Sequence, residues 1–142
     1  MCDTIAGSKC QLKNSSVLIL GWGRIGKCLM QLMQNLGADV TVAARKDSDL
    51  AMIGALGCRY IAIGELTENL RQYDVIMNTI PAMVLPRMTN REDAVILELA
   101  SYPGMAGDNI INARGLPGKM APEASGKLIA DTFLRLCGEG LK

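Results

Sequence analysis

From Val17 to Gly26 the chain reads Val-Leu-Ile-Leu-Gly-Trp-Gly-Arg-Ile-Gly, and Arg45 stands 19 residues beyond the last of these glycines. An apolar run entering Gly-x-Gly-x-x-Gly suits one chemistry above others, the holding of a diphosphate by bare main chain. Gly21 permits the tight turn off a strand, Gly23 lets backbone approach the diphosphate, and Gly26 lets the following helix pack close to the strand. Trp22, Arg24 and Ile25 fill the positions between and complete the loop and helix start. The anion would rest on N–H groups that no helical turn precedes, where the helix dipole favours negative charge. The glycine spacing alone is a weak signal. A strand before it and a helical pattern after it make it a dinucleotide site.

The second chemical signal lies at the end of the next strand. In an NAD site an acidic residue there accepts hydrogen bonds from the ribose 2′-OH. Here the chain reads Thr41-Val42-Ala43-Ala44-Arg45-Lys46, with no carboxylate before Asp47. A carboxylate would repel a 2′-phosphate, whereas Arg45 can grip it bidentately and stack on adenine. Lys46 and Ser48 complete that cradle. NADP is therefore expected over NAD, against the plainer reading of Arg45 and Lys46 as a solvated loop pair.

Ligands on a sheet of this kind bind outside the carboxyl ends of its strands. Three segments are expected there: Asn78-Thr79-Ile80-Pro81, Leu99-Ala100-Ser101-Tyr102-Pro103-Gly104 and Gly115-Leu116-Pro117-Gly118-Lys119. Asn78 and Thr79 can hydrogen-bond ribose or phosphate, Pro81 turns the chain away, and Ile80, Ala100 and Ser101 would border the nicotinamide. Asn78 and Pro81 also read as simple turn formers.

The elements that must hold these residues follow from hydrophobic spacing. Strands are expected at 16–20, 39–43, 58–61, 74–78 and 94–99, with room for a short sixth at 110–112. Ile25, Cys28, Leu29, Leu32, Met33 and Leu36 recur at steps of three and four, as the buried stripe of a helix closed by Gly37. Further helices are expected at 47–56, at 65–71 and from Pro122 onward, the last with Ala124, Leu128, Ile129, Thr132, Phe133, Leu136 and Cys137 as its apolar stripe. Strands alternating with helices predict an α/β fold, a doubly wound parallel sheet of the Rossmann type with strand order 3-2-1-4-5. Residues 1–14 read as a leading extension and 15–142 as one NAD(P)-binding domain.

Composition narrows the function. With 142 residues, 49% of them hydrophobic and 20% charged, the chain can bury a core of its own as one domain. A net charge of +1 carries no nucleic-acid footprint and no polybasic membrane anchor, and the apolar runs are too short for a membrane span. A cytoplasmic protein is expected. Five cysteines without a Cys-x-x-Cys pair, and no histidine, argue against a metal site and for reduced thiols acting as small fillers. Lacking histidine, the chain also lacks the commonest acid–base group near neutral pH, and no residue is assigned a catalytic role.

Taken together, Gly-x-Gly-Arg-x-Gly, Val-x-Ala-Arg, Asn-Thr-Ile-Pro, Leu-Ala-Ser-x-Pro-Gly and Gly-Leu-Pro-Gly-Lys-x-Ala-Pro-x-x-x-Gly resemble the A subunits of dipicolinate synthases. The last motif is the specific one; the others are shared with 2-hydroxyacid and alanine dehydrogenases. The resemblance implies NADP-dependent oxidation of a dihydrodipicolinate-type intermediate to pyridine-2,6-dicarboxylate, the calcium chelator of bacterial spores. It also implies a partner, a flavoprotein-like B subunit, and a homo-oligomer is expected. A small dicarboxylate substrate needs cationic partners, for which Arg114 and Lys119 are the nearest candidates, though each reads equally as a plain surface charge. Family members are about twice this long, so the chain looks like an excised cofactor domain. The stretch 105–112 is shorter than its family counterpart, which puts the sixth strand in question. Two other readings stay open: a 2-hydroxy- or 2-amino-acid dehydrogenase, which the missing histidine disfavours, and an NADP-binding assembly module without turnover.

Overall fold

Val17 and Ile19 point to one face of a sheet and Leu18 and Leu20 to the other, and all four are fully buried. This is how a central parallel strand must read, since both of its faces are covered. The computed structural model describes residues 12–113 together with Asp131 and Arg135. Its elements run β1 (Ser16–Leu20), α1 (Arg24–Asn35), β2 (Asp39–Ala44), α2 (Asp47–Ala55), β3 (Arg59–Ala62), a 3₁₀ turn (Ile63–Glu65), β4 (Val75–Asn78), β5 (Val95–Glu98) and β6 (Ile110–Asn112). All pairings are parallel, in the order β3-β2-β1-β4-β5-β6. The expected doubly wound α/β sheet is present, and so is its sixth strand, which pairs Ile110 with Ile96.

The core has two parts, one on each face. On the first, Leu29, Met30 and Met33 of α1 and Ile53 of α2 pack on Val17, Ile19, Val42 and Met77. On the second, Leu70, Tyr73, Leu85 and Met105 cover Leu18, Leu20, Ile76 and Ile96. These covering residues come from connecting segments stitched by isolated bridges, Asn69 with Thr89 and Leu85 with Met105. Leu12, inside the stretch read as a leading extension, is buried in the first part of the core.

Two expectations about helices need correction. No helix spans 65–71: the 3₁₀ turn ends at Glu65, and the chain then runs irregularly to β4. The Thr67 hydroxyl donates to the Asn69 carbonyl and the Asn69 side chain accepts from the Arg71 N–H, local bonds that compete with a helical ladder. Leu70 instead donates its N–H to the Thr89 carbonyl and buries its side chain. The stripe of α1 is also rotated. Its buried residues are Gly26, Leu29, Met30 and Met33, while Cys28 is half-buried and Leu36 exposed. Gly26 sets this rotation, because it is the residue pressed against the end of β1. The predicted helix from Pro122 lies outside the described residues, where only Asp131 and Arg135 are seen, helical and exposed.

α1 and α2 end alike: Gly37 and Gly57 donate their N–H groups three residues back, and Ala38 and Cys58 five residues back. These are the two bonds of a Schellman stop, which turns each helix directly into the next strand.

A methyl group at Gly26 would stand 2.2 Å from the Gly21 carbonyl oxygen, which is backbone and cannot swing aside. Gly26→Ala should therefore cost about 1–3 kcal/mol by overpacking, read as a fall in the urea midpoint at constant m. A change below about 0.5 kcal/mol, the range of ordinary surface substitutions, would contradict this close approach.

Candidate cofactor-binding site

The chain runs from β1 one way to β2 and, later, returns on the other side as β4, so the end of β1 lies at the reversal of strand order. Three strand ends are tied there. The Gly21 N–H donates to the Ala43 carbonyl at 2.9 Å, and the Thr79 N–H and hydroxyl both donate to the Leu20 carbonyl, at 2.9 and 2.7 Å. The glycine loop thus hangs between the ends of β2 and β4, fixed on both sides.

Its three glycines answer to three different neighbours. Gly21 has φ +109°, and a Cβ there would meet the Thr79 hydroxyl at 2.4 Å. Gly26 is held bare by the Gly21 carbonyl. At Gly23 a Cβ would meet nothing within 4 Å. Among the described residues no atom requires glycine at Gly23, so the space in front of it is available to a ligand.

Gly23 is also the N-cap of α1, and it makes no side-chain capping bond. The first helical bond runs from the Lys27 N–H to the Gly23 carbonyl, leaving the N–H groups of Arg24, Ile25 and Gly26 ahead of the ladder. No acidic residue occupies the first turn. Arg24 is exposed beside this helix start and Ile25 is half-buried against the core. The resulting start of α1 is electropositive, uncapped and open, the combination that receives an anion.

Across from it, Arg45 and Lys46 leave the end of β2 and are exposed. The two walls enclose an open cleft of about 190 Å³ lined by Gly21, Trp22, Gly23, Ala44, Arg45, Lys46, Asp49, Ile63 and Ile80. Among the described residues neither Arg45 nor Lys46 forms an ion pair. Trp22 is 9% exposed and belongs to the core beneath, with the Lys27 ammonium 5.6 Å from its ring.

The sequence reading missed three residues of this cleft, the first of them Ala44 at the end of β2. Ile63, on the 3₁₀ turn after β3, supplies an apolar wall; its signal was an apolar residue immediately beyond a strand at the carboxyl edge. Asp49 brings one carboxylate toward the two cations, from the first turn of α2.

Other expected site residues sit elsewhere. Asn78 is fully buried and its amide is used within the protein: Nδ2 donates to the Ile80 carbonyl and to Glu98 Oε1, and Oδ1 accepts the Ile80 N–H. The Thr79 hydroxyl is likewise turned to β1. Both residues shape the turn that presents Ile80 to the cleft. Ser48 is exposed on the first turn of α2, Pro81 and Ser101 are exposed, and Ala100 is buried; none of the four lines the cleft. Arg114 and Lys119 lie outside the described residues. Among the described residues no cluster of histidine, cysteine or carboxylate could hold a metal, and no helix is long and apolar enough to cross a membrane. Cys58 is a buried thiol donating to the Val40 carbonyl at 3.2 Å, and burial pushes its pKa up, as suits an inert filler.

The fold that carries this cleft is shared with proteins already known. The chain is 35% identical to the dipicolinate synthase A subunit of Bacillus subtilis over 90% of its own length, which is 47% of that relative. The crystal structure of the Bacillus subtilis protein superposes with a TM-score of 0.70 at 33% identity, covering 97% of this chain and 50% of that one. Its Bacillus halodurans counterpart gives 0.69 at 31% identity, with 96% and 51% covered. The chain thus spans about half the length of these relatives. Residues 4–92 match the family described as D-isomer specific 2-hydroxyacid dehydrogenase, NAD binding domain. With its Gly-x-Gly-x-x-Gly loop at the strand reversal, the chain belongs to this family of nicotinamide-dinucleotide-binding dehydrogenase domains.

Proposed function

We propose that the chain is the NADP-binding domain of an oxidoreductase of the dipicolinate synthase type. One observation carries the reading: a single cleft sets Gly23, the N-cap of α1, against Arg45 and Lys46, two cations that form no ion pair among the described residues. NADP has its charge in two places, a diphosphate and a 2′-phosphate, and these walls offer a partner for each. The N–H groups at the start of α1 would hold the diphosphate. Arg45 would grip the 2′-phosphate with two parallel bonds, aided by Lys46 and Ser48, and adenine would lie between Arg45 and Ile63. Two cations against one carboxylate, Asp49, keep this end of the cleft positive.

The bound coenzyme supplies the hydride acceptor or donor; the chain supplies position. Ile80 forms the cleft wall on the nicotinamide side, and the loop carrying Ala100 and Ser101 leaves the neighbouring strand end. A small dicarboxylate of the dihydrodipicolinate class is the proposed substrate, with Arg114 and Lys119 as its cationic partners and spore formation as its setting. The Bacillus relatives are named as parts of a larger synthase, which supports a multi-chain assembly here too. We take the second component to be a flavoprotein-like B subunit. Copies of the present chain would form a homo-oligomer within that assembly, in the cytoplasm.

Calorimetric titration with NADP, NAD and dipicolinate tests coenzyme and substrate class in one sample. NADP should bind more tightly than NAD. Arg45→Asp should raise the NADP Kd about 10- to 100-fold, the loss of a charge-assisted bond worth about 1.5–3 kcal/mol. The NAD Kd should stay within about threefold, because the diphosphate contacts are untouched. An unchanged ratio between the two would contradict the assignment. Gly23→Ala should weaken both coenzymes alike while costing under about 1 kcal/mol of stability, as a cap change does. Equal binding by that variant and the wild type would place the diphosphate somewhere else.

A further inference from the structure

Glu98 ends β5 at the carboxyl edge of the sheet and is 1% exposed. Among the described residues no cation pairs with it. Burying a carboxylate is costly, and an apolar side chain of similar volume is often the more stable choice. A charge kept at such a position therefore calls for a reason other than stability.

The reason lies in what Glu98 accepts. Oε1 takes hydrogen bonds from Asn78 Nδ2 at 2.8 Å and from the Ala100 N–H at 3.2 Å, and Oε2 takes one from the Gly104 N–H at 2.9 Å. All three partners are donors, so the group between them must offer an acceptor oxygen at both positions, which a carboxyl group does and an amide does not. Glu98 also decides which way the Asn78 amide faces. With its NH₂ drawn to Glu98, Asn78 presents Oδ1 to the Ile80 N–H and Nδ2 to the Ile80 carbonyl. Both polar groups of Ile80 are thereby held, and Ile80 lines the coenzyme cleft.

The same carboxylate secures the facing loop. Gly104 lies so close that a Cβ would stand 2.2 Å from Asn78 Nδ2, and its carbonyl receives the Val84 and Leu85 N–H groups. One side chain thus joins the turn after β4 to the loop after β5. We propose that Glu98 is a positioning residue for the nicotinamide half of the site: it sets the spacing and orientation of these two segments without touching the coenzyme. The proposal rests on the NADP reading above and extends it to the end of the cleft away from Arg45.

The test compares the whole chain with Glu98→Gln, using calorimetry with two probes, 2′,5′-ADP for the adenosine half and NADPH for the entire coenzyme. Bound NADPH is also read by its nicotinamide fluorescence. In Glu98→Gln the N–H₂ replaces one acceptor oxygen and at best opposes the Gly104 N–H, so the tie between the two segments is lost. The 2′,5′-ADP Kd should stay within about twofold, the NADPH Kd should rise about tenfold on loss of a buried charge-assisted bond, and the nicotinamide fluorescence change should shrink. Glu98→Asp keeps the acceptor chemistry at shorter reach; it should show the same split at about threefold, and serves where Glu98→Gln does not fold. Equal weakening of both probes, or of neither, would overturn the positioning role and leave the coenzyme reading standing. A wild-type chain that binds neither probe would overturn both.

Discussion

The constraint from which the site follows is the contact of Gly26 with the Gly21 carbonyl, an approach too close to admit a methyl group. It brings the first turn of α1 against the end of β1 and fixes the rotation of the helix, so that Leu29, Met30 and Met33 fall on the sheet. The same contact places the helix start, with the N–H groups that precede its ladder, at the carboxyl edge. Packing and the proposed anion reception thus follow from one missing side chain. Because Thr79 clamps the Leu20 carbonyl from β4, the loop between these elements has little freedom to relax.

Around this contact the sheet assigns tasks by position. β2 delivers Arg45 and Lys46 to one side of the glycine loop, and β4 delivers Ile80 to the other, because both strands neighbour β1. The two faces are covered differently. Among the described residues, α1 and α2 shield the first with regular helices, whereas Leu70, Tyr73, Leu85 and Met105 shield the second from segments joined by single bridges. Such segments leave more backbone to satisfy, and Asn69, Asn78 and Glu98 answer that need with side-chain bonds.

Much of this was legible in the residues themselves. The apolar run at 16–20, the glycine spacing and Gly37 located β1, the loop and the end of α1, since each reflects a local rule of sterics or burial. The strand order followed from the alternation of elements. What escaped the sequence depended on partners distant in the chain. The stretch 65–71 reads as a short helix, but Leu70 bonds the distant Thr89 carbonyl instead. Asn78 reads as a ligand contact until Glu98, 20 residues on, is seen taking its amide. Glu98 itself looks like an ordinary polar residue closing a strand. Its burial is set by the loop returning through Gly104, which no periodicity announces.

The central claim is that main-chain N–H groups at the start of α1 receive the coenzyme diphosphate. Backbone amide shifts of the ¹⁵N-labelled chain during titration with NADP measure that contact directly. Saturable shifts are expected, largest at Gly23, Arg24, Ile25 and Gly26. Shifts centred instead on the β3 edge around Tyr60, where a second open pocket lies, would contradict it, as would a glycine loop that does not respond.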